Sequence, residues 1–322
     1  MSLTSATPQR PSAGQTPKVV AVVVSYNRRH LLAECLTAVF AQTQPVDAVV
    51  VVDNASSDGS ADLVAERFPS VDLVRLTQNT GGAGGFAVGM ARAIDGHGAE
   101  LLWVMDDDTI ATPSALAELC GAYRGYGPDL ALVASRVTWT DGQDQDRNIP
   151  RPVPWVNARR LRAAQSVGGR PMRTACFVSL LVAVDAVCAE GLPTADFFIW
   201  NDDFEFTARI MRTRPGIYLP SAVVVHKTKE LGTRAADPGE RFFNEVRNKV
   251  WTFRAGRAFT GPERALRIVV ALVNWARFYW HSSRRDTLRR GLVRGLRAGL
   301  GGHPRPNREV LAEAGFELGD RW

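Results

Sequence analysis

Residues 101–108 read Leu-Leu-Trp-Val-Met-Asp-Asp-Asp, an uninterrupted apolar run that ends in three consecutive aspartates. Bulky apolar residues in such a run are typical of a strand that is buried on both faces of a parallel sheet. Three adjacent carboxylates repel one another unless a cation lies between them. Mg²⁺ binds in proteins through one or two carboxylates together with substrate phosphates. The stretch therefore predicts a strand that ends at a metal and phosphate site. The structural alternative is one helix-capping aspartate beside two solvated ones.

Strands and helices alternate in the sequence before this stretch. Apolar, β-branched runs at 19–24, 48–52 and 71–76 predict three further strands, and helical spacing predicts helices at 29–41, 60–68 and 86–94. This alternation indicates right-handed βαβ units and a mostly parallel sheet. Ligands bind at the carboxyl ends of the strands in such sheets. We therefore expect one site where the following loops meet: those that begin at Ser25, Asp53, Asn79 and Asp106.

The pattern is less regular after the aspartates. Strands are predicted at 130–134, 176–184 and 222–225, and a helix follows Asp202 and Asp203. The Pro- and Arg-rich stretch 138–171 is long for a structureless loop, so it is either a functional flap or contains short elements.

The composition is that of an ordinary globular protein. The 322 residues are 45% hydrophobic and 22% charged, with a net charge of +6, which suits one large or two ordinary domains. Four cysteines without a CxxC pair predict reduced thiols and a cytosolic location. Residues 1–17 are rich in Ser, Thr, Pro and Gln and lack the apolar core of a signal peptide, so a disordered leader is predicted.

Basic residues are concentrated near the C-terminus, where Glu263 and Asp286 are the only acids between 254 and 308. The longest apolar run, 266–280, is interrupted by two arginines and is too short to span a membrane. One interpretation is a pair of amphipathic helices on an anionic membrane surface. The other is a core-packed helical tail with a solvated basic face. No recognised nucleic-acid module accompanies the charge, so no nucleic-acid partner is expected.

The glycine-rich stretch 79–85 predicts a loop before a helix. Its glycines permit close approach of the backbone to a ligand, or they only form a flexible turn. Residues 82–87 also match the G-x-G-x-x-A dinucleotide fingerprint, but after the third strand rather than the first. An NAD(P)-dependent oxidoreductase is therefore one alternative function, and a sugar-binding scaffold without catalysis is another.

Four motifs, in this order, resemble family 2 glycosyltransferases of the GT-A fold. They are Val-Val-Val-Ser-Tyr-Asn-Arg at 22–28, the turn-rich segment 51–60, the glycine-rich segment 79–90 and the aspartates at 106–108. Residues 79–90, together with 237–243 and the following Arg247-Asn248, resemble more closely the galactofuranosyltransferases that begin cell-wall galactan on a polyprenyl-diphosphate-linked glycan. Related rhamnosyltransferases that use dTDP-sugars share much of this pattern, so rhamnosyl transfer stays an alternative.

The resemblance implies an α/β fold of the GT-A type, Rossmann-like with a mostly parallel mixed sheet flanked by helices. The catalytic domain would span 18–230, and a basic, mainly helical region at 231–322 would contact the acceptor or a membrane. It also implies a metal-dependent, inverting transfer of galactofuranose from UDP-galactofuranose. A lipid-linked acceptor predicts a cytoplasmic enzyme that is peripheral on the inner face of the plasma membrane. The oligomeric state is left open.

The resemblance assigns residues on the donor side of the site. A divalent metal, Mg²⁺ or Mn²⁺, would be held by Asp106, Asp108 and His226. Asp107 would face the donor sugar. The residues implied in donor binding are Ser25, Tyr26, Asn27, Asp53, Asn79, Gly82, Gly85, Asp106 and Asp107.

On the acceptor side, the pair Asp202-Asp203 resembles the acidic pair that supplies the catalytic base. Asp203 is assigned as the base and Asp202 is the alternative, although acids at a helix N-terminus are also common for electrostatic reasons alone. Trp200 either stacks on an acceptor sugar or belongs to the core. Three cations, Lys227, Lys229 and Arg234, are candidates for contacts with phosphates.

Overall fold

The computed structural model describes residues 16–231 and 237–322. Most of the predicted leader and Arg234 lie outside the described residues. The strands are β1 (Val19–Ser25), β2 (Ala48–Asp53), β3 (Asp72–Arg75), β4 (Leu101–Asp106), β5 (Thr109–Ala111), β6 (Leu132–Thr138), β7 (Arg151–Pro152), β8 (Arg170–Thr174), β9 (Leu180–Ala183) and β10 (Gly216–His226). The helices are α1 (Arg29–Phe40), α2 (Ser60–Arg67), α3 (Gly81–His97), α4 (Ala115–Tyr126), α5 (Ala158–Gln165), α6 (Val184–Glu190), α7 (Asp202–Ile210), α8 (Phe242–Ala255), α9 (Gly261–His281), α10 (Arg285–Gly301) and α11 (Asn307–Glu313).

The ten strands form one mixed sheet in the order β3-β2-β1-β4-β9-β6-β10-β8-β7, with β5 paired to β10. β3, β2, β1 and β4 are mutually parallel, as the βαβ alternation predicts. β9 runs antiparallel between β4 and β6. Every residue of β1 is buried, which agrees with the uninterrupted apolar run in its sequence. The predicted mostly parallel sheet flanked by helices is confirmed.

The structure corrects two predicted elements. The strand predicted at 176–184 is shorter, because β9 begins at Leu180 and α6 begins at Val184. The glycine-rich stretch predicted as a loop is instead the first turns of α3, which begins at Gly81. The 138–171 stretch contains short elements, namely a 3₁₀ turn at Asp146–Asn148, β7 and α5.

The glycines of α3 bring the helix unusually close to the sheet. A Cβ atom at Gly85 would lie 2.5 Å from Cγ1 of Val24, and one at Gly89 would lie 2.3 Å from Cγ1 of Val22. Any larger side chain at these two positions would push the helix away from β1. The close approach that these glycines allow is therefore mainly that of helix to strand.

The C-terminal helices belong to two different clusters. α8, α9 and α10 share an apolar cluster around Phe242 and Trp275, and Gly295 of α10 lies so close to α8 that a Cβ there would be 2.8 Å from Val246. α11 instead returns to the core of the sheet, where Leu311 is fully buried. Within the described residues, no helix is both long enough and apolar enough to cross a membrane.

Candidate active site

The pairing of the strands brings the predicted loops to one edge of the sheet. Ser25 at the end of β1 is the partner of Asp53 at the end of β2, and Val24 is the partner of Asp106 at the end of β4. β10 runs antiparallel to β5, so that His226 is opposite Thr109, directly after the three aspartates. The backbone N–H of Lys227 donates to the carbonyl of Asp108 at 2.8 Å, which fixes this arrangement.

Asp106, Asp108 and His226 form a cluster that is suited to a metal ion. One ligand atom from each residue lies within 4.8 Å of the other two. Nε2 of His226 is 3.0 Å from Oδ1 of Asp108. Two carboxylate oxygens and one imidazole nitrogen fit a divalent ion of the Mn²⁺ type, because carboxylates suit Mg²⁺ and Mn²⁺ while imidazole suits first-row transition metals. The side chains that the sequence predicts as ligands therefore come together.

Gln145 orients the imidazole of His226. Its Oε1 lies 3.0 Å from Nδ1 of His226, and its Nε2 donates to the backbone carbonyl of His226 at 2.8 Å. An N–H at Nδ1 that is held in this way leaves Nε2 to face Asp108, the arrangement usual for a histidine that binds metal. Gln145 lies in the irregular 138–171 stretch, where no sequence signal distinguishes it, and sequence reasoning missed it.

Asp107 contacts the end of β1 and the loop that follows it. Its Oδ2 accepts from the Ser25 hydroxyl at 2.8 Å and from the Tyr26 N–H at 3.1 Å. Arg28 donates to Asp107 at 3.3 Å and also forms an ion pair with Asp108. Asp107 is buried and fully engaged with these groups. The prediction that it faces a donor sugar gains no support from this geometry, because its carboxylate braces the loop after β1. Arg28 was not among the predicted site residues.

Asp53 has a free carboxylate oxygen in a buried position. Its Oδ2 accepts from the Ser56 N–H at 3.1 Å, whereas its Oδ1 is buried and has no hydrogen-bond partner among the described residues. A buried acceptor without a donor is costly, so Oδ1 is available for a ligand N–H or O–H. The side chain of Asn27 braces the same loop, because its Oδ1 accepts from the Ser57 N–H at 2.8 Å.

The three residues predicted in the glycine-rich segment have different surroundings. Gly82 is half-buried and faces Asp202, since a Cβ there would lie 3.9 Å from Asp202 Oδ2. Gly85 is buried under Val24 and Asn54, so it packs α3 against β1 and does not line the site. Asn79 accepts from the Gly81 N–H at 2.7 Å and shapes the turn into the helix.

Asn54 connects the loop after β2 to the start of α3. Its amide donates to the Gly81 carbonyl at 2.8 Å and accepts from the Thr80 N–H at 2.9 Å. Its side chain is buried. It is a positioning residue that sequence reasoning missed, although it lies next to Asp53 in the motif.

Asp202 and Asp203 begin α7, and Asp202 lies near Gly82 in the first turn of α3. Asp202 is buried, and Oδ1 of Asp203 accepts from the Phe204 N–H at 2.6 Å. Burial and the neighbouring charge of Asp203 raise the pKa of Asp202 well above its usual value. Burial also raises the pKa of Asp203 to about 6, against the hydrogen bond from Phe204 and the positive charge of Arg147. Asp203 is thus the member of the pair that more readily ionises at neutral pH.

The loop before these aspartates has a strained backbone. Phe198, Trp200 and Asn201 all have positive φ angles, of 63°, 68° and 65°. Such angles are unfavourable for residues with side chains and occur mainly at functional sites. The buried amide of Asn248 stabilises the loop by donating to the carbonyls of Phe197, Ile199 and Trp200, at 2.9, 3.1 and 2.7 Å.

The ring of Trp200 is half-buried and stacks with a cation. The guanidinium carbon of Arg147 lies 4.6 Å from the ring centroid. Arg147 was not predicted as a site residue, because it comes from the irregular stretch that also supplies Gln145. Trp200 thus lies beside Arg147 and two residues before the acidic pair, and its role in acceptor binding stays a prediction.

The electrostatics of the aspartate triplet agree with a cation site. Burial and the charge of Asp108 raise the pKa of Asp106 to about 6, and burial raises the pKa of Asp107 to about 7. Burial opposes ionisation of Asp108 as well, but contacts with His226 and Arg28 lower its pKa. Bringing a divalent ion to this site would relieve the repulsion among the carboxylates.

Lys227 and Lys229 do not have equivalent positions. Lys227 forms an ion pair with Glu34 of α1, whereas Lys229 is exposed. A separate cavity of about 260 Å³ lies beside Gly216. This cavity is at the opposite end of β10 from His226, so it is not part of the site.

More than half of the chain matches a known protein family. The family described as glycosyl transferase family 2 matches residues 20–186, which include the ends of β1, β2 and β4 but not Asp203 or His226.

Curated relatives match over most of the chain. Galactofuranosyltransferase GlfT1 of Mycolicibacterium smegmatis is 30% identical over 285 residues, which cover 84% of this chain and 92% of the relative. Galactofuranosyltransferase GlfT1 of Mycobacterium tuberculosis is 32% identical over 287 residues, which cover 82% and 88%.

Solved structures share the fold at low identity. The mannosyltransferase PcManGT from Pyrobaculum calidifontis, in complex with GDP-Man and Mn²⁺, matches with a TM-score of 0.53 at 22% identity, covering 95% of this chain and 81% of that one. S. aureus TarS 1–349 in complex with UDP-GlcNAc matches with a TM-score of 0.60 at 15% identity, covering 92% and 83%.

Proposed function

The chain belongs to glycosyl transferase family 2, and we propose that it transfers galactofuranose from UDP-galactofuranose to a polyprenyl-diphosphate-linked glycan in cell-wall galactan synthesis. The observation that carries this proposal is the identity of 30–32% to galactofuranosyltransferases over more than four fifths of the chain. Family membership sets aside the oxidoreductase alternative. The helical form of the glycine-rich segment agrees with this, because its glycines pack α3 on β1.

On the donor side, Asp53 binds the nucleoside through its free Oδ1. The loop of Ser25, Tyr26 and Asn27, braced by Asp107, forms the adjoining wall. Asp106, Asp108 and His226 would hold a divalent metal, Mg²⁺ or Mn²⁺. When bound, this ion would neutralise the charge that develops on the departing nucleoside diphosphate.

On the acceptor side, Asp203 removes the proton from the attacking hydroxyl. The acceptor oxygen forms a bond to the anomeric carbon as the bond from that carbon to the UDP oxygen breaks on the opposite face. Direct displacement of this kind inverts the anomeric configuration. Trp200 orients the acceptor sugar by stacking, and proximity supplies much of the acceleration. Asp202 stays protonated because its pKa is raised further than that of Asp203.

We also propose that the enzyme is a peripheral protein at the cytoplasmic face of the plasma membrane. A polyprenyl acceptor stays in the bilayer, so the acceptor side of the site has to reach the membrane surface.

A donor screen tests the proposed reaction. The full chain is incubated with Mn²⁺, a synthetic lipid-linked disaccharide and either UDP-galactofuranose, UDP-galactopyranose or a dTDP-rhamnose donor, and the glycolipid product is analysed by mass spectrometry. We expect product with UDP-galactofuranose alone. Product with the dTDP-sugar alone would establish the rhamnosyltransferase alternative, and inactive Asp203→Asn protein is the control for contaminating enzymes.

A further inference from the structure

The helix α9 has an apolar outer face that is largely exposed. Its buried stripe, formed by Ala271, Trp275 and the half-buried Phe278, packs on α8. The rest of the helix carries eight large apolar side chains that are 39% to 69% exposed: Leu266, Ile268, Val269, Val270, Leu272, Val273, Tyr279 and Trp280. Contiguous apolar surface of this kind in a folded domain marks an interaction site.

The helix is firmly held on its inner side, so the outer face is a fixed surface. The indole N–H of Trp275 donates to Glu245 of α8 at 3.2 Å. In its first turn, Glu263 forms an ion pair with Arg173 of β8 and accepts a hydrogen bond from Nη2 of that arginine at 3.1 Å. With 21 residues, α9 is about 31 Å long. The exposed apolar side chains extend over more than half of this length.

The exposed charges of α9 and of the helix that follows it are mainly positive. Between residues 265 and 280, Arg277 is the only exposed charged residue of α9. The only exposed acid of the next helix, α10, is Asp286. The same helix exposes five arginines: Arg285, Arg289, Arg290, Arg294 and Arg297. An apolar helix face beside a row of exposed cations is the pattern of a helix that lies in the interface of an anionic membrane.

We infer that α9 docks on a lipid surface, with its outer face among the acyl chains and the arginines of α10 at anionic headgroups. This deepens the proposed function, since it rests on that function only for the expectation of a lipid-linked acceptor. A second copy of the chain fits less well. A symmetric dimer through α9 would bring the arginines of two α10 helices toward each other, with Asp286 as the only exposed acid of that helix to compensate.

Vesicle binding of paired variants tests the apolar face. The full chain is sedimented with vesicles that contain phosphatidylglycerol. Replacing Val269 and Val273 by Glu should weaken binding about 100-fold, tenfold for each side chain that leaves the lipid. The matched control, Phe40→Glu with Leu161→Glu, changes two exposed apolar residues on α1 and α5 by the same charge and should bind normally.

The role of the arginines is tested by lipid composition. Replacing Arg289 and Arg290 by Ser should weaken binding to vesicles with phosphatidylglycerol and leave the weaker binding to pure phosphatidylcholine unchanged. Replacing Arg159 and Arg162 of α5 by Ser removes the same charge and should have little effect. Equal losses in both pairs would mean that only the net charge matters, which would contradict a defined docking face.

Two further readouts separate this inference from the proposed function. The Val269 and Val273 variant should retain transfer to a short, water-soluble acceptor while it loses transfer to acceptor embedded in vesicles. If wild-type protein binds vesicles through α9 yet transfers no sugar, the proposed function fails and the inference stands. Light scattering tests the alternative. If the wild-type protein is a dimer, if the variant is a monomer and if neither of them binds vesicles, then α9 is a subunit interface and the inference is wrong.

Discussion

Asp202 and Asp203 are neighbours in the sequence, but their surroundings act differently on the pKa of each carboxyl group. Burial raises the pKa of both carboxyl groups. The negative charge of Asp203 raises the pKa of Asp202 further. A carboxyl group that keeps its proton at neutral pH resembles an asparagine in charge. The two residues should therefore respond differently to replacement by asparagine.

Asp203→Asn should lower kcat by about 1,000-fold, because it removes the general base. Asp202→Asn should cost much less, since it replaces a group that is already neutral. UDP affinity, measured by calorimetry with Mn²⁺ present, should be unchanged in both variants, which shows that the donor site is intact. A larger loss of kcat in Asp202→Asn would reverse the assignment of the base.

The pH dependence of kcat should follow the ionisation of Asp203. Because its pKa is raised to about 6, the base is ionised above that pH and becomes protonated below it. We expect kcat to be level above pH 7 and to fall about tenfold per unit below pH 6. Arg147 lowers the pKa of Asp203, so Arg147→Gln should move the acidic limb to higher pH. Arg162→Gln, on the exposed face of α5, should leave the limb in place.

At the scale of the elements, the alternation of strands and helices and the meeting of the loops after the parallel strands could be predicted from the sequence. Buried strands such as β1 and β4 are local apolar runs, and parallel sheets place their carboxyl ends at one edge. The glycine-rich start of α3 could not be predicted as helix, because glycine disfavours helices and its reason here is a close contact with β1. Gln145 and Arg147 could not be predicted either, since only the tertiary fold brings the irregular 138–171 stretch to His226 and Trp200.

The loop before α7 depends on α8 for its shape. Asn248 is completely buried and is the donor to three carbonyls of a backbone with three positive φ angles. Asn248→Ala removes the side-chain donor to three carbonyls, of which Phe197 alone keeps donors among the described residues, from Arg247 and the Ile199 N–H, so the free energy of unfolding should fall by about 2 kcal/mol. Urea denaturation measures this change, and kcat should fall as well because Trp200 and Asp203 lose their positions. Asn274→Ala, at a half-buried position of α9, should lower the free energy of unfolding less and leave kcat unchanged.

At the scale of the whole molecule, the end of the chain returns to support the catalytic part. Asn307 at the start of α11 accepts from the Ala195 N–H at 2.8 Å and donates to the Pro193 carbonyl at 2.8 Å. Arg305 is bonded to Asp196 through its backbone N–H at 2.9 Å. These contacts hold the segment that leads into the strained loop at 198–201. The predicted division at residue 230 stays a prediction, but the buried residues of α11 belong to the core of the sheet, whereas those of α9 and α10 belong to the second cluster.

Leu311 provides the test of this long-range support. It is fully buried against the core of the sheet, so Leu311→Ala should lower the free energy of unfolding by about 2–5 kcal/mol. Leu300→Ala, at a position that is 61% exposed at the end of α10, should change it by no more than about 0.5 kcal/mol. Because α11 also fixes the segment before Trp200, Leu311→Ala should reduce kcat at temperatures where the protein is still folded, with UDP affinity retained. If stability falls while kcat in the folded protein is unchanged, α11 stabilises the core without positioning the acceptor side of the site.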